Sequence, residues 1–110
     1  MPESAEDELL DELHRGWLEV YKKSMTTLVL LRIVAEGPTR TDDAAAAFTE
    51  STGWPLTERG LYRTLKRLTD CGFLEVTRHP GRRTGAARHE YALTDRGRRH
   101  LARLESSLVA

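Results

Sequence analysis

The sequence predicts a mainly α-helical domain that carries a two-stranded β-hairpin, and three observations predict it. Apolar residues recur at three- and four-residue steps through the first third of the chain. A second run of this kind spans residues 56–72. Two short alternating segments, residues 73–78 and 88–93, flank the basic stretch "HPGRRTGAA". The first two patterns leave one stripe of a helix to bury, and alternation leaves one side of a strand. At 110 residues the chain has the size of one domain, and residues 1–110 are read as a single one.

Each element follows in order. From Ser4 to about Ala35, Leu10, Leu13, Trp17, Val20 and Tyr21, then Met25, Leu28, Leu31 and Val34 or Ala35, trace one amphipathic stripe. One helix or two would fit, because Ser24 suits both an N-cap and a helix interior. Gly37 and Pro38 end it. Thr41 is expected to cap the next helix, with Asp42 and Asp43 at the positive end of its dipole and Ala44, Ala45, Ala47 and Phe48 as its inner face, until "STGWP" breaks it. Leu56, Thr57 and Leu61 match a hydrophobic staple around an N-cap, so a third helix should run to about Cys71 and stop at Gly72. Phe73–Arg78 and Arg88–Leu93 then pair as the hairpin, and Thr94 caps a last helix with Gly97, Leu101, Leu104 and Leu108 on one stripe. Helix, helix, helix, hairpin, helix is the order of a winged helix-turn-helix, in which the hairpin tip is the wing.

Charge is distributed to match. The formal net charge is zero, yet residues 1–50 hold eleven Asp or Glu against five Lys or Arg, a balance of −6, and residues 51–110 hold six against twelve, a balance of +6. A basic half on a neutral chain suits a polyanion-binding face joined to an assembly region. At 100° per residue, Leu61, Leu65 and Leu68 share one side of the third helix while Arg59, Arg63 and Lys66 share the other, bordered by Tyr62 and Arg67. A major groove about 12 Å wide accepts one such helix. Arg59 and Arg63 are the candidates for reading bases; Tyr62 and the hairpin-tip Arg82 and Arg83 are assigned to phosphate contacts, with Arg88 on the returning strand beside them.

The segments "LLRIVAEGP", "LYRTLKRLTDCGFLE" and "YALTDRGRRHL", in that order, resemble the PadR family of bacterial transcriptional regulators over about Leu28 to Leu104. The resemblance implies a dimeric repressor with contacts from its terminal helices, and often a small aromatic or drug-like inducer. Carried over by position, it places Thr57, Tyr62 and Arg63 on the recognition helix and Arg88 on the wing strand. The chain departs from the family pattern at "TRTDD" after "EGP" and at Arg59-Gly60 before Leu61-Tyr62, which bears on the DNA contacts. Its short tail is similar to that of the short, single-domain subclass.

Leu10, Leu13, Trp17 and Val20 would lie exposed on a lone domain of this size, as would part of the stripe Leu101, Leu104 and Leu108, and exposed stripes mark association. Residues 5–23 and 95–108 are therefore the expected dimerisation helices of a twofold dimer on a roughly palindromic duplex site. Trp17 reads as interface core and Trp54 as a packing plug, with stacking of a flat aromatic ligand as the alternative use of both. Cys71 reads as a small buried residue, with a redox switch as its alternative. His14, His79, His89 and His100 lack metal-ligand spacing, and nothing suggests a cofactor, a catalytic pair or a phosphate-cradling loop. The acidic start carries no secretory signal and the longest apolar run, Leu28 to Leu31, is too short for a membrane span, so a cytoplasmic, non-enzymatic protein is expected. The rival reading is a winged helix reused to bind a protein partner without DNA.

Overall fold

The computed structural model describes residues 4–80 and 87–108; the side chains of Pro80, Ala87 and Arg88 also lie outside the described set. Its elements are α1 (Ala5–Ala35), β1 (Thr39–Arg40), α2 (Thr41–Thr52), α3 (Glu58–Asp70), β2 (Leu74–Pro80), β3 (Ala87–Leu93) and α4 (Asp95–Ser107).

α1 is one helix of 31 residues, which settles the question left by Ser24. The Ser4 hydroxyl accepts from the Asp7 N–H at 3.1 Å, and Glu6, Asp7 and Glu8 stand at the positive end of the dipole. Residues 5–23 are thus the leading part of a longer rod and not an element of their own. Only its trailing part is covered. Leu28, Leu30, Leu31 and Val34 form the core with Ala44 and Phe48 of α2, Leu61, Leu65 and Leu68 of α3, and Leu74, Tyr91 and Leu101. Fully burying a leucine of this kind contributes roughly 1.5–3 kcal/mol, so the domain is held where the helices converge.

Two expectations are corrected. Arg40 is the N-cap of α2, without a side-chain hydrogen bond, and Thr41 is the first helical residue. The reason is strand pairing: Thr39 and Arg40 sit opposite Tyr91 and Glu90, which forces extended backbone up to Arg40. The hairpin is consequently not two-stranded but part of a three-stranded antiparallel sheet in the order β1-β3-β2. α2 also runs through Ser51 and Thr52, and stops at Gly53, whose φ of 71° no β-branched residue would adopt without strain.

α4 is fastened by a close approach. Thr94 donates to the Gly72 carbonyl at 2.6 Å and accepts from the Gly97 N–H at 3.0 Å, which joins the end of α3 to the start of α4. A Cβ at Gly97 would overlap the Phe73 carbonyl oxygen and stand 2.7 Å from Leu93 Cδ1, so this position requires glycine for space.

Candidate nucleic-acid interface

α3 begins as its residues dictate: the Thr57 hydroxyl accepts from the Gly60 N–H at 3.0 Å, so that side chain serves the helix cap. Leu61, Leu65 and Leu68 are at most 2% exposed, whereas Arg59, Tyr62, Arg63, Lys66 and Arg67 all face solvent. The outward cations are not equivalent. Lys66 Nζ donates to Asp70 Oδ2 at 2.9 Å, and this bond, with the carboxylate charge, raises the lysine pKa above its ordinary value. Arg67 Nη2 donates to Thr27 Oγ1 at 3.0 Å and so turns back toward α1. Among the described residues, Arg59 and Arg63 take part in no ion pair. The two guanidinium groups on the first turns of α3 are thus the cations of this helix face that no described side chain engages.

The sheet stands beside this face. Leu74 pairs with Leu93, Val76 with Tyr91 and Arg78 with His89, so these six share the side of the sheet that meets α3. Between sheet and helix runs a groove of about 450 Å³ lined by Tyr62, Lys66, Asp70, Val76, Arg78, His89 and Tyr91, with Thr69 behind. Burial pushes the Tyr91 phenol pKa up and the nearby Tyr62 adds to the shift, while the Thr41 hydroxyl opposes it. That opposition is weak, because no partner within hydrogen-bond geometry reaches the buried Thr41 Oγ1 among the described residues. Arg82 and Arg83, and the side chain of Arg88, lie outside the described residues; the Arg88 backbone pairs with His79. Arg78 and His89 were missed in the sequence, although the parity of Leu74 and Val76 already put Arg78 on their side of the strand.

With helix, sheet and groove in place, comparison with known proteins identifies the line of descent. The sequence model of the PadR-like transcriptional regulator family matches residues 30–103, well over half the chain. The chain belongs to that family. Bacillus subtilis PadR in complex with operator DNA superposes on this PadR-like chain with a TM-score of 0.66 at 26% identity, covering 76% of this chain and 49% of the other, so the likeness spans about half of that relative. A PadR family regulator from Eggerthella lenta gives 0.68 at 25% identity over 87% of this chain and 81% of the other. One from Bacillus cereus gives 0.66 at 20% over 77% and 82%, a likeness of fold. None of the curated proteins compared matches the sequence. Among the described residues no helix is long and apolar enough to cross a membrane.

The PadR-like chain also leaves apolar surface bare. Leu10, Leu13, Trp17 and Val20 are 56–65% exposed, in company with Leu9. Of the expected C-terminal stripe the exposed part is Leu108, while Leu101 is buried in its own domain and Leu104 packs half-buried on the core. The close approach at Gly97 draws α4 inward and takes Leu101 with it. Cys71 is likewise exposed and not buried, since it caps α3 at the surface. Trp17 stacks on Tyr21 at 5.3 Å, Tyr21 meets Trp54 edge-on at 6.0 Å, and Lys22 Nζ stands 5.7 Å from the Trp54 ring. Tyr21 and Trp54 close one end of a cavity of about 520 Å³ between α1 and α2.

Proposed function

We propose that this PadR-like chain is a sequence-specific DNA-binding transcriptional regulator, a cytoplasmic repressor that occupies a roughly palindromic operator as a homodimer. The observation that carries the proposal is the division of α3: three leucines fasten it to the core while Arg59 and Arg63 face solvent without ion-pair partners among the described residues. Arg59 and Arg63 read base edges, Tyr62 and Lys66 hold phosphates, Arg67 and Thr57 border the contact, and Arg82, Arg83 and Arg88 extend it along the wing. The operator complex of Bacillus subtilis PadR supports the same use of the fold.

The whole chain, residues 1–110, acts as one winged helix-turn-helix domain. Residues 5–23 and 95–108 supply the dimer contacts, directly through Leu10, Leu13, Trp17, Val20 and Leu108, with Leu101 and Leu104 as the packed underside of α4. The exposure of the first four and of Leu108 supports this, and in that seam Leu101 and Leu104 act from beneath, as the support of α4. A twofold axis then sets the two α3 helices about one DNA turn apart, roughly 34 Å. A small aromatic ligand releases the repressor by stacking with the Trp17, Tyr21 and Trp54 cluster; the parallel Trp17 and Tyr21 rings, with Trp54 edge-on to Tyr21, support the assignment.

Binding of the full chain to duplex DNA across a salt series tests the proposal. Affinity should fall steeply between 50 and 200 mM salt, as counterion release demands. Arg63→Ala should cost about 1–3 kcal/mol on the preferred sequence and relax the preference there. Failure to bind any duplex at about 50 mM salt would instead favour a winged helix that docks a protein partner.

A further inference from the structure

We infer that Arg78 and His89, which meet across the β2–β3 pair, are DNA contacts in their own right, and that the groove they line with Tyr62 and Lys66 seats one sugar-phosphate strand of the duplex. The inference rests on the DNA-binding reading above and names what that reading left unassigned between helix and wing.

The groove has the chemistry of such a strand. Val76, 40% exposed, and the rings of Tyr62 and Tyr91 give it an apolar floor, while Lys66 and Arg78 supply a cationic rim and His89 adds a ring N–H donor to it. A deoxyribose offers carbon-bound hydrogens to the former, and its flanking phosphates meet the latter. The one carboxylate in the groove, Asp70, is held by Lys66 at 2.9 Å. No carboxylate lies within salt-bridge distance of Arg78 among the described residues. The two acids of the hairpin strands, Glu75 and Glu90, are both at the alternate register positions, and Glu90 stands 3.7 Å from His79. Strand parity therefore sorts the wing: the side toward α3 carries Arg78 and His89, and the other side carries the His79–Glu90 pair.

The test compares the intact wild-type chain with Arg78→Ala, His89→Ala and Thr77→Ala on a random-sequence duplex of about three helical turns, titrated by fluorescence anisotropy across a salt series. Arg78→Ala should weaken binding on the order of tenfold at low salt, equally on every sequence, and should flatten the log–log salt slope by about one phosphate. His89→Ala should weaken it by a smaller factor, and Thr77→Ala, an exposed change on the opposite side, should leave it alone. Circular dichroism confirms that each variant folds. Wild-type binding with an unchanged slope in Arg78→Ala would overturn the groove assignment alone. Absence of wild-type binding at any salt would instead remove the DNA-binding reading on which it stands.

Discussion

The two parts of α1 carry the same apolar periodicity and meet opposite fates. Leu10, Leu13, Trp17 and Val20 are more than half exposed, whereas Leu28, Leu30, Leu31 and Val34, on the same rod, are at most 4% exposed. Helical spacing fixes which side of a helix is apolar; what covers that side is fixed by tertiary placement, here by α2, α3 and α4 converging on residues 25–35 alone. Among the described residues the leading part has no cover, and its flank is acidic through Glu6, Asp7, Glu8, Asp11, Glu12 and Glu19. A stripe without a cover is a surface awaiting one.

Mutations separate the two parts, and the largest effect belongs to the buried one. Leu30→Ala, and Leu65→Ala on the facing helix, should each cost about 2–5 kcal/mol in urea unfolding, the range for leucine truncation in a packed core. Gly97→Ala forces a methyl against the Phe73 carbonyl and should cost about 1–3 kcal/mol by the same measurement. Leu13→Ala should change the stability of the isolated domain by no more than about 0.5 kcal/mol, yet weaken self-association in sedimentation equilibrium. If Leu13→Ala unfolds the domain as Leu30→Ala does, the distinction between the two parts of the rod is lost.

Smaller effects sharpen the contrast between helix and sheet. The Tyr91 phenol has a raised pKa in the folded chain, because burial disfavours its anion. A raised pKa means stability that is complete below the unfolded value of about 10 and is lost as pH rises through the folded value. Unfolding midpoints should therefore decline above about pH 10, and Tyr91→Phe should flatten that decline. Asp70→Asn removes the carboxylate that holds Lys66 and should tighten duplex binding a few-fold, in the direction opposite to every cation deletion.

Much of this was legible in the chain because local rules decided it. Thr57 and Thr94 cap α3 and α4 as their spacing implied, and Leu61, Leu65 and Leu68 turn inward as their period required. What escaped depended on partners distant in sequence. β1 is two residues long, too short for any period, and exists only because Tyr91 and Glu90 offer it an edge about 50 residues away. Thr41 lost its expected capping role to that pairing. Leu101 was placed with an outer stripe because the close approach at Gly97, which draws α4 onto the core, leaves no trace in a helical wheel. Within the candidate interface, the sequence distinguished cations from leucines but not free cations from engaged ones: Lys66 has Asp70 four residues on, a pairing visible in principle, while Arg67 is tied to Thr27, which is not.

The central claim is that the outer side of α3 and the adjoining groove, and not the bare stripe of α1, meet DNA. Amide chemical-shift mapping of the labelled full chain during titration with a duplex addresses it directly. The predicted result is a set of perturbations over Arg59, Tyr62 and Arg63 together with Arg78 and His89, while Leu9 to Val20 stay in place. Perturbations confined to Leu9–Val20, with α3 and the sheet unmoved at saturating duplex, would contradict it.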